Sequence, residues 1–342
     1  MQTYVGMDIH KKVIVLCMKN KEGTVLLQKK IRNEPNELDS FLARIPKDSA
    51  IAMESCGCWE HVHDYITDAG FTNVVLANPS KIRLIAESKK KTDSHDAEVL
   101  ADLLRSNMLP TSYAPSKVIR EQRLITRHRA SLGRLKGIIK NKIHAILIRN
   151  GINHEFSDVF GASGIMYLKS LDLDYIDRYQ MDQLLELIRH YNIQIEKTES
   201  RIEDYVAYNP HVKLIMTIPG ISYYSGLSIV GEIGEIQRFN SARKLTAFAG
   251  LNPSVSQSGD KCYYGHIAKR GNKNLRWMLN QCANIAIMHD STLSKTYHRI
   301  KKRRGHNIAI TAVARKMLCF IYVMLMHNIK YQALQIHKKK AS

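Results

Sequence analysis

Acidic residues are what this 342-residue chain is short of: 31 Asp and Glu stand against 51 Lys and Arg, giving a formal charge of +20. A pI near 9.6 favours a polyanionic partner, nucleic acid before an anionic membrane surface, over an excess kept for solubility alone. No Cys-x-x-Cys pair occurs among the six cysteines. Cys56 and Cys58 are too close for a zinc knuckle and no His pair has complementary spacing, so the common structural zinc sites are excluded and reduced thiols are expected. The residues from Met1 to Asp8 lack a basic region followed by an apolar one, so no signal peptide is expected and the cytoplasm is the expected location. The most apolar stretch, 308–326, is interrupted by Arg315 and Lys316 and reads as a buried helix instead of a membrane span. Internal repeats and low-complexity tracts are absent too. What remains, 44% hydrophobic and 24% charged, is an ordered chain long enough for two domains with real cores.

The first 110 residues alternate strand and helix signals. Val5, Met7 and Ile9 alternate with Gly6, Asp8 and His10; strands at 13–16 and 24–27 follow, the second after a turn at 20–23. A helix over 37–44, a strand over 50–54, a helix over 60–69, a strand over 73–77 and a helix from Pro79 complete the order βββαβαβα. That order predicts an α/β, RNase H-like mixed sheet. Residues 117–149 predict one long helix, with Val118, Ile125, Leu132, Ile139 and Ile146 seven apart as in one coiled-coil seam, although the position three later is poor. This helix carries Arg120, Arg123, Arg127, Arg134, Lys136 and Lys140 among ten basic residues against one acid, Glu121, which predicts a face that tracks phosphates. A second heptad run, Leu184 to Tyr205, predicts a partner helix, so the pair is a coiled-coil hairpin, an oligomer contact or both. The stretch 151–164 is the expected link. From Pro210 the chain reads as helices and loops, basic again at 301–304 and in a frayed tail at 338–340. The expected domains are 1–115, a basic coiled-coil connector over 116–209, a mainly helical domain over 210–332, and a basic tail over 333–342.

Metal-dependent phosphodiester chemistry needs carboxylates that converge on one point. Asp8 lies in the first strand, on the face opposite Val5, Met7 and Ile9, and Glu54 ends the fourth strand. Asp93 and Asp96 are three apart at the start of a helix, which puts them on one face. Asp93 alone reads equally well as a helix cap, and Glu98 and Asp102 read as solvated. Acids seldom interrupt several strands of one half-buried sheet without a partner or ion, so the set predicts a metal site for Mg²⁺ or Mn²⁺. Ile218-Pro219-Gly220-Ile221 reads as the turn of a helix-hairpin-helix, where Gly220 would let backbone N–H groups approach a phosphate; an ordinary helical hairpin fits as well. A serine- and glycine-rich loop ends in Gln257-Ser258-Gly259, and a basic turn with Lys269, Arg270, Lys273 and Arg276 opens the next helix. Ser258 is a candidate nucleophile if a base, metal or positive field activates it, with Tyr263 and Tyr264 as competing hydroxyls.

Across nearly its whole length the sequence resembles the IS110 family of transposases. The family's Asp-Glu-Asp-Asp set matches Asp8, Glu54, Asp93 and Asp96, and its back half resembles Ile218-Pro219-Gly220-Ile221, Phe248-Ala249-Gly250-Leu251-Asn252-Pro253, Gln257-Ser258-Gly259 and Lys269-Arg270-Gly271-Asn272. The resemblance implies a RuvC-like domain with a separate transposase domain, metal-assisted recombination of DNA with Ser258 as nucleophile, direction by a structured RNA from the element's flank, and a homo-oligomer. It adds a phosphoserine link and a free 3′ hydroxyl as the products of strand cleavage. Two other readings use the same residues: a junction resolvase or nuclease in which water attacks, and a non-catalytic nucleic-acid-binding protein.

Overall fold

Strand β1 (Tyr4–Ile9) is covered on both faces, and the two coverings differ in kind. Val5, Met7 and Ile9 point into an apolar core with Ile51, Met53, Phe41, Val62 and Ile66. Gly6 and Asp8, one pleat out of step, face the other way. The computed structural model describes residues 3–85, 92–258 and 261–332, with backbone alone at 255–258, 261, 262 and 264. The basic tail expected over 333–342 lies outside the described residues. The chain divides into two compact units that meet at Pro115 and Ser116.

In the first unit β2 (Val13–Lys19) and β3 (Val25–Arg32) extend β1 as an antiparallel meander. Helix α1 (Pro35–Leu42) leads to β4 (Ala50–Glu54), parallel to β1, and α2 (Trp59–Asp68) leads to β5 (Val74–Ala77), parallel to β4. Helices α3 (Pro79–Ile85) and α4 (Asp93–Arg105) follow, then β6 (Thr111–Ser112), antiparallel to β5. The strand order is β3-β2-β1-β4-β5-β6. Strand β6, which the sequence reading omits, is two residues long and offers no alternation to read.

Helix α4 covers the Gly6–Asp8 face, and small residues let it lie close. Ala97 and Ala101 pack on Val15 and Cys17, and Leu100 packs on Ala52 and Ala77. At Gly6 a Cβ would collide with the Ala97 carbonyl oxygen and stand 2.6 Å from the Ala101 nitrogen, so only glycine admits the helix backbone there. A buried lysine then clamps the seat. Lys19, 4% exposed on β2, donates to Glu98 Oε1 at 2.9 Å and Asp102 Oδ2 at 2.6 Å, one helical turn apart. Burial works against the Lys19 ammonium, but the bonds and charges of Asp102 and Glu98 outweigh it and hold its pKa above the ordinary value. Glu98 and Asp102 stay 39% and 41% exposed, so they are solvated as their helical spacing suggests, and they also share one buried cation. Their cation comes from a strand about eighty residues away, which local periodicity does not reveal.

The second unit opens with α5 (Lys117–Arg149), linked through α6 (Ala162–Ser170) to α7 (Tyr175–Ala207). At 33 residues each, the long helices run about 50 Å. They pair antiparallel, since Arg129 bonds Glu199 and Arg149 bonds Asp177. Ile139, Ile143 and Ile146 meet Met181, Leu185 and Ile188 in one core, as the heptads require; Val118, at the start of the same register, is 57% exposed. Beyond them lie α8 (Pro210–Ile215), α9 (Tyr223–Ile233), α10 (Ala242–Phe248), α11 (Lys273–His289), α12 (Ser291–Arg304) and α13 (His306–His327). Ile202 and Val206 of α7 enter the core of these shorter helices, so residues 116–209 and 210–332 share one unit. Helix α13 is long and apolar enough to cross a membrane by composition, yet Val313, Met317, Ile321 and Met324 are buried in that core. One expectation is corrected between α10 and α11. The serine-rich loop is an antiparallel hairpin of β7 (Pro253–Ser258) and β8 (Lys261–Ile267). Serine, glutamine and lysine have weak strand preferences, and pairing across the turn supplies what local propensity does not.

The tight seat of α4 yields a stability test. Gly6→Ala should cost about 1–3 kcal/mol or more in urea denaturation, because the methyl group must push back helix backbone. Lys19→Met should cost less, since Glu98 and Asp102 keep access to water.

Candidate functional site

The register of β1 on β4 sets Gly6 beside Ala52 and Met7 beside Met53, so Asp8 and Glu54 come next to each other at the ends of adjacent strands. Both share the pleat parity of Gly6 and Ala52, the side that α4 covers. The first turn of α4 carries Asp93 and Asp96. Thr92, not Asp93, caps this helix by accepting from the His95 N–H at 3.3 Å, which leaves the Asp93 carboxylate available for another role. Asp8 is 5% exposed. Burial raises its pKa, His10 pulls it down, and the nearby Asp96 and Asp93 charges push it up again. Three of the four acids thus act on one another, and Glu54 adjoins them by register.

His10 joins this group. Its Nε2 lies 3.1 Å from Asp8 Oδ2 and 3.6 Å from Asp93 Oδ1, and donor atoms of the three residues fall within 4.8 Å of one another. A buried carboxylate with an imidazole and a second, solvent-facing carboxylate fits a divalent cation, which would relieve the mutual repulsion of Asp8, Asp93 and Asp96. The sequence does not single out His10 as a ligand, although it follows Asp8 by two residues, just past the end of β1.

Several basic residues that the sequence aims at phosphate have partners within the protein, although Arg127 stays exposed. Arg123 donates to the Gly231 carbonyl at 2.7 Å and the Glu232 carbonyl at 3.1 Å. Arg127 grips both oxygens of the Glu232 carboxylate, at 2.7 and 2.8 Å. Arg120 is buried. The reason is Glu232, fully buried on α9 and also held by Asn272 Nδ2 at 2.6 Å and Asn274 Nδ2 at 3.2 Å. Burial alone would raise its pKa, but Arg127, Asn272 and Arg123 outweigh that and keep the carboxyl below its ordinary value. Farther along α5, Arg134 is exposed and Lys136 and Lys140 are half-buried, Lys140 over the Phe160 ring at 4.4 Å. Burial and the charges of Lys140 and Arg129 hold Lys136 below the usual lysine range. Positive charge is concentrated there.

Gly220 has φ +88°, and a Cβ on it would stand 2.7 Å from the Cys282 carbonyl and 2.8 Å from the Ala286 nitrogen on α11. That packing by itself accounts for glycine at the turn between α8 and α9. Ser258 is the last residue of β7, paired with Lys261; its side chain lies outside the described residues. After the hairpin, Lys269, Arg270 and Lys273 are exposed around the start of α11. Asn272 caps that helix, its Oδ1 accepting from the Asn274 and Leu275 N–H groups at 3.0 Å each. Arg276 instead turns back to the Ala249 carbonyl at 2.9 Å. The Glu232–Asn272 bond therefore ties α5 and α9 to the foot of the hairpin.

Comparisons with known proteins point the same way in both halves. Residues 5–150 match an IS110-type DEDD transposase model, and residues 212–299 match the model for the transposase IS116/IS110/IS902 family. The transposase for insertion sequence element IS1328 of Yersinia enterocolitica is 27% identical, the alignment covering 94% of this chain and 96% of the relative. The transposase for IS1111A of Coxiella burnetii is 24% identical over 96% and 91% of the two chains. The pilin gene-inverting protein of Moraxella lacunata is 24% identical over 96% and 97%.

Two outcomes follow from this geometry. Because Asp8 titrates above its ordinary value, its ionised form destabilises the cation-free fold, and this penalty grows as pH rises through the carboxylate range and is absent below it. Near neutral pH Mn²⁺ should therefore raise the melting temperature, by about 2.7 kcal/mol of stabilisation at a hundredfold excess over Kd. Asp8→Asn should abolish that rise without lowering the melting temperature of the cation-free protein. Glu232→Ala, which strips a buried partner from Arg127, should cost about 3–5 kcal/mol in urea denaturation, and Glu232→Gln less.

Proposed function

The chain belongs to the IS110 family of transposases, and from that premise we propose that it is an insertion-sequence DNA recombinase that joins strands through Ser258 with help from a divalent cation at Asp8. The single observation that carries this reading is the convergence of Asp8, His10 and Asp93 donor atoms within 4.8 Å. The sheet order, with an antiparallel β3-β2-β1 half and a parallel β1-β4-β5 half, supports an RNase H-like domain over residues 1–115. Residues 210–332 would then form the transposase domain and 116–209 the coiled-coil connector. The helix-hairpin-helix reading of 210–234 rests on the sequence pattern, since packing against α11 already explains Gly220.

Asp8, Asp93 and Asp96, with Glu54 beside Asp8 in register, would hold Mg²⁺ or Mn²⁺. When bound, such a cation stabilises charge on the attacking and leaving oxygens of a phosphodiester. His10, bonded to Asp8, fixes the orientation of that carboxylate. At the hairpin foot, Lys269, Arg270 and Lys273 would orient the scissile phosphate near the start of α11, where helix N–H groups favour an anion. Ser258 Oγ forms a bond to phosphorus while the bond from phosphorus to the 3′ oxygen breaks. The serine proton is lost and the departing 3′ oxygen gains one. An incoming 3′ hydroxyl then attacks the same phosphorus and releases the serine, so the number of phosphodiester bonds is conserved. Donor and target DNA are the substrates, a homo-oligomer is the working form, and a structured RNA is the guide that the family resemblance implies. Arg134, Lys136 and Lys140 form the part of α5 best suited to a nucleic-acid backbone.

The decisive experiment traps the protein on DNA carrying the element's ends. With Mg²⁺ present, a covalent protein–DNA adduct should form, and Ser258→Ala should abolish both adduct and strand exchange. Asp8→Asn should slow both by about two to three orders of magnitude, the scale of losing one electrostatic contact to the reacting phosphate. A Ser258→Ala protein that still cuts at full rate would establish water as the nucleophile.

A further inference from the structure

Three-quarters of the way along, the sequence changes character: residues 261–342 hold seventeen Lys and Arg and a single acid, Asp290. Asp290 is spent internally, being buried, with Oδ1 accepting from the Leu293 N–H at 2.7 Å and Oδ2 from the Tyr331 hydroxyl at 2.9 Å. This segment therefore presents cations with no carboxylate of its own to offset them. The densest group lies at the elbow between α12 and α13, where Lys295, Arg299, Lys301, Lys302, Arg303 and Arg304 are all exposed. Among the described residues, no carboxylate forms an ion pair with any of the six.

The elbow is built, not frayed. Leu293 and Tyr297 bury one side of α12, and Gly305, at φ +81°, turns the chain sharply into α13. Across the turn the Tyr297 hydroxyl bonds His306 Nδ1 at 2.7 Å, and Lys301 lies over the Tyr297 ring at 5.4 Å. Lys316 of α13 reaches back to Thr296 Oγ1 at 2.7 Å. Opposite this anchored side, Lys295, Arg299 and Lys302 form one stripe at helical spacing, about 10 Å long at 1.5 Å per residue. The negative end of a helix dipole favours cations in a last turn, but it amounts to roughly half a charge. Four consecutive basic residues, with two more a turn or two upstream, exceed what it can compensate.

We propose that the α12–α13 elbow is a docking surface for the phosphate backbone of duplex DNA. Duplex DNA is the occupant because the family's enzymes recombine DNA, and because a rigid, unpaired row of ammonium and guanidinium groups recognises phosphates without reading bases. The inference rests on the DNA-handling part of the proposed function and needs neither the metal nor Ser258.

The test is binding of the full-length protein to a duplex of about 30 bp and arbitrary sequence, in EDTA, over a series of salt concentrations. The variant Lys295→Gln, Arg299→Gln, Lys302→Gln, Arg303→Gln removes four charges while leaving the Tyr297–His306 anchor. A control, Lys21→Gln, Lys29→Gln, Lys30→Gln, Lys169→Gln, removes four exposed charges elsewhere. Each phosphate contact contributes about 0.9 to the slope of log K against log salt, so the elbow variant should lose about two to four in slope and at least about tenfold in affinity near physiological salt. The control should lose less than about one in slope. Melting temperatures of both variants should match the parent. Equal losses in variant and control would reduce the effect to net charge and overturn the proposal. Loss of binding to a structured RNA with duplex DNA binding intact would also overturn it. Because EDTA removes the cation, failure of the strand-transfer reading leaves this result unchanged, and the reverse holds too.

Discussion

The seat of helix α4 on the sheet governs everything else in the first unit. Two of the four acids ride on that helix and two on the strands beneath it, so their meeting depends on how closely helix and sheet approach. Glycine at position 6 removes the one Cβ that would block the approach, and Ala97 and Ala101 keep the contact shallow. The Lys19 clamp fixes the position of α4 along the strands, since Glu98 and Asp102 must both reach one ammonium. A buried cluster of like charges is unstable by itself: burial first, and the Asp96 and Asp93 charges after it, raise the pKa of Asp8. Packing and a buried ion pair on the same helix, one to two turns away, supply the free energy that holds the acids together.

The second unit solves a similar problem around one buried carboxylate. Glu232 gathers Arg127 from the long helix α5 and Asn272 from the cap of α11, and it is stable there because two guanidinium groups and two amides satisfy it. Breaking such a network is costly, since any one removal strands a buried partner. Its position at the foot of the β7–β8 hairpin means that a structural ion pair also sets where the hairpin and the basic turn emerge. With Arg123 and Arg127 engaged at Glu232, the proposed phosphate contacts fall on the later turns of α5, the start of α11 and the α12–α13 elbow.

Much of this was legible in the sequence wherever the relevant signal is local. Alternation along residues 5–10 gave the central strand and the face of Asp8, and the spacing of Asp93 and Asp96 gave their common side. Heptads gave the two long helices. Signals that depend on distant residues were not legible. The pairing of Lys19 with Glu98 and Asp102, and of Arg127 with Glu232, joins positions about eighty and a hundred residues apart, which no local pattern reveals. The hairpin at 253–267 was missed because its strands gain stability from each other and not from propensity. His10 is legible too, since it follows Asp8 by two residues in the alternation of 5–10.

On this reading the acids of β1, β4 and α4 share a divalent cation. Anomalous diffraction from crystals grown with Mn²⁺ tests it most directly. A peak is expected within about 2–2.5 Å of an Asp8 carboxylate oxygen and of at least one oxygen from Asp93 or Asp96. A fully occupied peak elsewhere, or none in this cluster at saturating Mn²⁺, would contradict it.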